Sequence, residues 1–533
     1  MQTDTQYIAA AGPGMSRYTR YVLILMAVSA VVRALCAALI EFGNDEVYYR
    51  LYALFPDWSH FDHPGMVGWL TQLFTLNLAW DSEFALRLGS VVIGTVNIWL
   101  MYRFGTEAGG DSRIGWLSAL LYVSSVYGSV LCGIFLMPDS PLSLFWMVTL
   151  LCFLKAFRGD EDTSGRWMLL AGLACGLAAL SKYTAVFLWV GAGLYVIFFD
   201  RSWFRRKELY LAALISAACL LPVLIWNIQN DFLSFTYHSG RTMSQREIHL
   251  SLFFTELAGE CFYNNPVLFL LIIVSVVLYF RRRLDVDRRT VSWMLLTALP
   301  MILIFWVWSC QKNTLPQWAG QRSVLPHWSG LAYVTLIPLA AAAAQKLDIK
   351  RKVNRWVAAA VGFTALLLPL AVLEIRTGVL PLDRHTEYND MGRDDFTLDM
   401  YGWDQLSLEF SEVRDVSVGK GLASEDDPIF SYRWFPAANI DYYVASPLGM
   451  DLLCIGPMYD IHKYWWINRE RGGLEDGMDG WFITSSRDFR DPASMPFGAV
   501  SGCDTVKVMR CGRHVYNFYI YRVENLQLDK IEQ

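Results

Sequence analysis

Residues 21–41 read YVLILMAVSAVVRALCAALIE, and residues 43–50 follow as GNDEVYYR. The first run carries one charge in its interior, Arg33, and it is long enough to cross a bilayer, which takes roughly 20 apolar residues in a helix. The second sets two adjacent carboxylates, Asp45 and Glu46, where that helix should leave the membrane. Ten further apolar runs of similar character follow, at about 84–103, 114–135, 138–157, 167–181, 184–200, 208–228, 262–280, 290–309, 326–345 and 355–375. A backbone in hydrocarbon must satisfy its own hydrogen bonds, so these runs read as helices. The first is long and lacks a small-residue cleavage site after it, so it reads as a retained helix.

Composition agrees. Of 533 residues 54% are hydrophobic and 18% charged, with 21 Trp, 26 Tyr and 31 Phe, whereas soluble domains carry about a quarter charged residues. The charge is also unevenly spread. Residues 383–533 hold 26 acidic and 15 basic side chains, while the first 382 residues hold 24 acidic and 30 basic. The expected architecture is a mainly α-helical polytopic membrane protein of about 11 spans with a soluble, acidic C-terminal α/β domain. Its parts are an N-terminal segment (1–20), a membrane domain (21–375) whose first outer loop is 42–83, and the tail (376–533). No low-complexity tract, basic stripe or internal repeat is present, which argues against disorder, nucleic-acid binding and repeat transporters.

Lys and Arg favour the cytoplasmic side of short loops. With the N-terminus inside, 21 such residues fall on inner loops and seven on outer ones: Arg50, Arg87, Lys182, Arg241, Arg246, Lys312 and Arg322. Eleven crossings then put the acidic tail outside. In the tail, runs at 428–432, 452–456, 480–485 and 514–522 read as strands and 404–413 and 436–444 as helices. Cys503 and Cys511 flank an expected hairpin, and an oxidising compartment would permit a bridge there. The other cysteines of the apolar helices read as packing residues.

On this threading one face gathers the chemistry. The first loop carries Asp45, Glu46, Tyr48, Tyr49 and Arg50, then Trp58-Ser-His60-Phe-Asp62-His63-Pro-Gly65. Asp139 follows in Leu136-Met-Pro-Asp-Ser-Pro141, Lys182 and Tyr183 follow at 181–183, and His238, Arg241, Glu256 and Glu260 come later. Ionisable groups at one membrane face are costly and mark a site. Each also has a plainer reading: Asp45, Glu46 and Asp139 as helix-start acids, Lys182 as a snorkelling side chain, and His63 and His238 as interfacial residues. Glu46, Asp139, His63 and His238 are suitable ligand types for a divalent metal, though their spacing is not a metal motif.

Asp-Glu-Val-Tyr-Tyr (45–49) followed by Phe-Asp-His-Pro (61–64) resembles the first outer loop of the GT-C membrane glycosyltransferases, in the branch of protein O-mannosyltransferases and the lipid A aminoarabinose transferase. Met137-Pro-Asp-Ser-Pro-Leu142, Leu180-Ser-Lys-Tyr-Thr184 and Pro326-His-Trp-Ser-Gly330 are similar to further stretches of that branch, and the resemblance spans about 20–345. Gly65 and His327 depart from its usual Pro and Asn. The resemblance implies sugar transfer from a polyprenyl-phosphate donor of the undecaprenyl type to a lipid (lipid A or lipopolysaccharide), glycan or protein acceptor. The reaction would run on the outer face of the inner membrane, with inversion. The residue types fit: Asp45 as general base, with Glu46 and Asp139 as companion carboxylates. Lys182, Arg241 and Arg50 would meet the leaving phosphate. Tyr48, Tyr49, His63, Tyr183 and His238 would line the substrate site, and amphipathic stretches at 47–55 and 66–80 would wall the lipid groove. A flippase for lipid-linked sugars is the competing reading, but it predicts mid-membrane charges and Arg33 is the conspicuous one.

Overall fold

The computed structural model describes residues 16–243, 246–313, 324–348 and 354–531. The chain is mostly helical, with a small sheet near its C-terminus. Helix α1 (Arg17–Leu39) runs along the first apolar stretch. Two short helices, α2 (Asn44–Leu54) and α3 (Met66–Phe74), occupy the first loop where amphipathic segments are expected. Then come α4 (Glu83–Gly109), α5 (Ser112–Ser124), α6 (Asp139–Arg158), α7 (Glu161–Ala179), α8 (Val186–Phe199), α9 (Lys207–Cys219), α10 (Leu221–Gln229) and α11 (Leu233–Met243). Helices α12 (Leu250–Tyr263), α13 (Pro266–Phe280), α14 (Arg288–Ser309), α15 (Gly330–Leu347) and α16 (Arg355–Thr377) complete this part. A two-stranded antiparallel ribbon, β1 (Arg246–Ile248) with β2 (Gln311–Asn313), joins the start of α12 to the end of α14.

Length and apolar composition qualify five helices as membrane spans: α1, α4, α6, α14 and α16. The number rises to seven when two bent pairs are each counted as one. Several expected spans are thus broken, and the breaks have local causes. The run at 208–228 bends by 42° between α9 and α10, where Pro222 opens the second helix and offers no N–H to the preceding turn. The stretch around 262–280 turns by 104° between α12 and α13 at Asn264-Asn265-Pro266, so residues expected in an outer loop, Glu256 and Glu260, lie on a helix. Asn265 heals that corner, its Nδ2 donating to the carbonyls of Ser124 at 3.0 Å and Ala360 at 2.8 Å. The 114–135 run leaves the α-helix after Ser124 and makes a π-helical turn at Tyr127–Leu131, a distortion that is common at functional sites.

The C-terminal part is built on a five-stranded sheet of β3 (Ile429–Ser431), β4 (Leu452–Cys454), β5 (Gly480–Ser485), β6 (Phe497–Arg510) and β7 (Arg513–Leu526), in the order β4-β3-β5-β7-β6. β3 pairs parallel with β4 and β5, while β5–β7 and β7–β6 are antiparallel. Helices α17 (Trp403–Gly419) and α18 (Trp434–Ile440) pack here. The four expected strands and two helices coincide with elements. β6 was not expected, because Gly498 and Gly502 break its apolar pattern and most of it is exposed at the sheet edge. Cys503 lies inside β6 and Cys511 opens its turn into β7. Eight residues along a strand put them about 25 Å apart, far beyond the ~7 Å a disulfide tolerates; both are free and exposed.

One ion pair organises the face that carries the expected site. Arg87 of α4 is wholly buried and donates from Nε and Nη2 to Glu46 at 2.7 and 2.6 Å. Its Nη1 also donates to the carbonyls of Ala37 and Ile40, and Nη2 to that of Glu41, at 2.7–3.0 Å. These are carbonyls that the end of α1 leaves without partners. Glu46 in turn accepts from the Leu136 N–H at 3.0 Å and from Gly43 N–H at 3.1 Å, the latter closing the start of α2.

Removing one partner of such a pair leaves a bare charge in the core. Arg87→Met is therefore expected to lower stability by about 3–5 kcal/mol. Heating followed by monodispersity measurement on the purified protein would check this, and adding Glu46→Gln to the same chain should recover part of the loss.

Candidate active site

Asp45 follows directly from this clamp. It sits in the first turn of α2, next to Glu46, where the helix dipole favours a carboxylate. The residue is exposed, although protein on several sides desolvates its carboxylate. Burial and the nearby charges of Asp62, Asp399 and Glu46 raise its pKa to about 6, with Lys182 acting in the opposite direction. The neighbours come from distant parts of the chain: Asp62 from the first loop, Lys182 from the α7–α8 junction and Asp399 from the C-terminal part.

Asp139 opens α6 and is 1% exposed. Lys182 Nζ donates to its Oδ2 and Tyr127 OH, from the π-helical turn, to its Oδ1, each at 2.8 Å. Lys182 is itself 7% exposed. An ammonium has three N–H donors, and this ion pair occupies one. His327 lies within electrostatic reach of both Asp139 and Lys182, and Tyr263 within reach of Asp45 and Asp139.

A second cluster adjoins Asp45. Asp62 accepts from Tyr48 OH at 3.0 Å and from Tyr52 OH; burial raises its pKa, opposed by those two bonds. His238 Nε2 donates to the Asp62 carbonyl at 2.9 Å. The His63 ring lies 5.8 Å from Tyr49 and 6.5 Å from His238, and Tyr183 lies 5.3 Å from His238. The C-terminal part reaches in as well: Lys463 Nζ donates to His60 Nδ1 at 2.8 Å, both side chains being buried. Burial lowers the Lys463 pKa to about 8.

The structure thus brings Asp45, Asp139, Lys182, Tyr48, Tyr49, His63, Tyr183 and His238 to one region. It places Glu46 in the saturated pair with Arg87. Arg50 stands elsewhere: five residues past Asp45 it points about 140° around the same helix and binds Asp81 through Nε and Nη2 at 3.0 and 2.5 Å. Arg241 falls in α11, but its side chain, like those of Arg246 and Lys312, lies outside the described residues, as do Arg322 and residues 1–15.

The four ligand types Glu46, Asp139, His63 and His238 do not converge on a metal. Two of them are spent on ion pairs with Arg87 and Lys182. Among the described residues, the His/Cys/Asp/Glu group close enough to share an ion is Asp383, His385 and Asp394, whose ligand atoms lie within 4.8 Å of one another just after α16.

Asp62 and His327 lie inside the sequence motifs, but nothing local in the sequence marks what they meet. Tyr127, Tyr263, Asp399 and Lys463 carried no local signal, since only the fold brings them here.

The whole-chain architecture is similar to that of ArnT from Cupriavidus metallidurans. The TM-score is 0.59 for the apo crystal structure, at 15% identity, covering 95% of this chain and 98% of that one. For the structure bound to undecaprenyl phosphate it is 0.58, at 16% identity and with 94% and 98% covered. A family model described as dolichyl-phosphate-mannose-protein mannosyltransferase matches residues 62–226. The chain thus shares the ArnT fold over nearly its whole length, and about a third of its sequence is similar to the mannosyltransferase family model. The lipid A galacturonosyltransferase RgtD of Rhizobium johnstonii is 23% identical over 265 residues, which are 50% of this chain and 54% of that protein. The chain spans about half the length of this curated relative.

The raised pKa of Asp45 fixes a sign. The folded chain holds this proton up to about 6, against 3.8 for the ordinary side chain. Asp45 therefore destabilises the fold progressively as pH rises from about 3.8 to about 6, and fully above that. Asp45→Asn, a neutral isostere, is expected to raise the melting temperature at pH 7 and to leave it unchanged near pH 3.5. Parallel thermal melts of parent and variant at the two pH values would show it.

Proposed function

We propose that this protein is a glycosyltransferase that moves a sugar from a polyprenyl-phosphate donor, of the undecaprenyl type, to an acceptor at the outer face of the inner membrane. One observation carries the reading most. Asp45, a carboxylate whose pKa is raised to about 6, lies within electrostatic reach of Lys182, a buried lysine that donates to Asp139. That arrangement offers a base and a phosphate anchor together. The ArnT structure bound to undecaprenyl phosphate supports the choice of donor.

In this mechanism the acceptor hydroxyl gives its proton to Asp45, which is ionised at neutral pH and so ready to receive it. The hydroxyl oxygen forms a bond to the anomeric carbon as the bond from that carbon to the phosphate oxygen breaks. Attack opposite the leaving group inverts the centre. The electron pair leaves with the polyprenyl phosphate, whose growing charge meets Lys182 and Arg241. Asp139 and Tyr127 position Lys182, Glu46 positions Asp45 through the Arg87 clamp, and Tyr48, Tyr49, His63, Tyr183 and His238 line the sugar. The acceptor is assigned to lipids of the lipid A or lipopolysaccharide class, with a glycan or protein as alternatives; the name of the Rhizobium relative supports a lipid.

The proposed topology has eleven crossings, with shorter or bent helices completing the set begun by the long ones. The N-terminus is cytoplasmic and the C-terminal domain (376–533) lies over the outer mouth of the site, which the bias of Lys and Arg supports. Lys463 and Asp399, both from that domain, stand close to Asp62 and Asp45, as a lid over catalytic loops would require. No metal is assigned to the reaction. A flippase for lipid-linked sugars is the alternative.

The test is release of free polyprenyl phosphate from short-chain polyprenyl-phosphate sugars by the purified protein in nanodiscs, read by mass spectrometry. Asp45→Asn should cut release by about 10²–10⁴-fold, the range of a lost general base. Lys182→Ala should raise the donor KM and lower kcat. Release that survives Asp45→Asn at the parent rate removes Asp45 as the base. Sugar flipping in liposomes without release would favour the alternative.

A further inference from the structure

The helix that carries Asp45 has a second wet face. Between α2, the outer end of α4 and the C-terminal part lies a cleft of about 550 Å³, lined by Arg50, Asp81, Ser82, Glu83, Asp404, Ser407, Tyr442, Tyr443, Ser446 and Pro447. Its volume falls in the range of small-ligand sites, roughly 300–1,000 Å³.

The charge of this cleft is specific. Arg50 is 4% exposed; it lies 4.8 Å below the Tyr442 ring, and Asp81 holds its Nε and Nη2. Its Nη1 is buried with no hydrogen-bond partner, a costly state for part of a guanidinium. Across the cleft are two further carboxylates. Glu83 accepts from Tyr443 OH, and Asp404 stands exposed in the first turn of α17. Three carboxylates face one guanidinium, a formal excess of two acidic groups in the lining. Ser82 caps α4, its Oγ accepting from the Ala85 N–H at 3.3 Å, and the helix start adds a weak attraction for a phosphate at this end.

We infer that the cleft binds a phosphate–ammonium zwitterion of the ethanolamine type, its phosphate at Arg50 Nη1 and the start of α4 and its ammonium at Asp404 and Glu83. The lining's net charge disfavours an anionic head group with no amine. Carboxylates that accept hydrogen bonds prefer an ammonium with N–H donors to a quaternary amine that has none. The cleft opens at the N-terminal end of α4, a helix long and apolar enough to cross a membrane; on the proposed topology this is the outer end, the level at which a phospholipid head group sits. The same chemistry could also arrive as a soluble phosphoethanolamine. This site is independent of the reaction proposed for Asp45.

Native mass spectrometry of the full chain in detergent, titrated with dilauroyl phosphatidylethanolamine, phosphatidylcholine and phosphatidylglycerol, tests it. Retention of the ethanolamine lipid should exceed that of the other two by about fivefold, a difference within reach of one or two charge-assisted contacts. Asp404→Asn should bring ethanolamine lipid down to the choline level. Ser407→Trp, which fills the cleft from a half-buried position, should abolish the preference. Asp45→Asn should leave it unchanged. Competition by O-phosphoethanolamine as strong as by the lipid would assign the soluble form of the same ligand. Phosphatidylglycerol retained as well as phosphatidylethanolamine, or a preference that survives both Asp404→Asn and Ser407→Trp, would overturn the inference.

Discussion

The Arg87–Glu46 pair is the constraint on which the rest of the site depends. A guanidinium with no exposure must spend all its donors, and Arg87 spends them on the end of α1, on Glu41 and on Glu46. Glu46 spends its remaining capacity on the start of α2 and on Leu136, three residues before Asp139. Four segments separated by up to ninety residues are thereby held to hydrogen-bond tolerance. Asp45 is adjacent to one end of this network and Asp139 is a turn beyond the other. The placement of Asp45 relative to the Lys182-paired Asp139 is thus set by a buried ion pair.

The C-terminal part is fastened by the same kind of logic. Glu41, the residue after the α1 cap, accepts the Gly402 and Trp403 N–H groups at 3.2 and 2.9 Å and so closes the start of α17. Tyr443 OH receives the Phe42 N–H at 2.7 Å and donates to Glu83, and the Trp403 ring stacks 15° from parallel on Tyr443. On the far side Trp466 Nε1 donates to Asn230 at 3.0 Å while Trp226 donates to Asp57 at 2.8 Å. The C-terminal part is therefore anchored around both faces of the first loop, with Lys463 between the anchors.

The likeness to ArnT structures covers nearly the whole chain, the C-terminal part included, whereas the family model matches 62–226. Helix bundles in membranes and small α/β sheets keep their packing while their sequences drift, because burial demands only apolar shape and satisfied backbone. The short stretches that carry the polar groups of the site are Asp45-Glu46, Met137-Pro-Asp139 and Ser181-Lys182. They are also the stretches that made the fold readable.

What the sequence determined by itself is set by periodic and local physics. Apolar length marked where helices lie, charge separated the membrane part from the acidic tail, and alternation marked β3, β4, β5 and β7. It also put Asp45, Asp139 and Lys182 on one face, because a charge at the end of an apolar helix has few affordable places. What the tertiary structure decided is which partner each charge meets. Sequence spacing could not show that Glu46 is consumed by Arg87 while Asp45 is left open, nor that Arg50 turns to Asp81 on the other side of α2, because those outcomes depend on contacts 31 to 41 residues apart. The corner at Asn265 and the π-helical turn at Tyr127 were equally out of reach. Both rest on backbone groups satisfied by other helices, and a run of apolar residues carries no record of its neighbours.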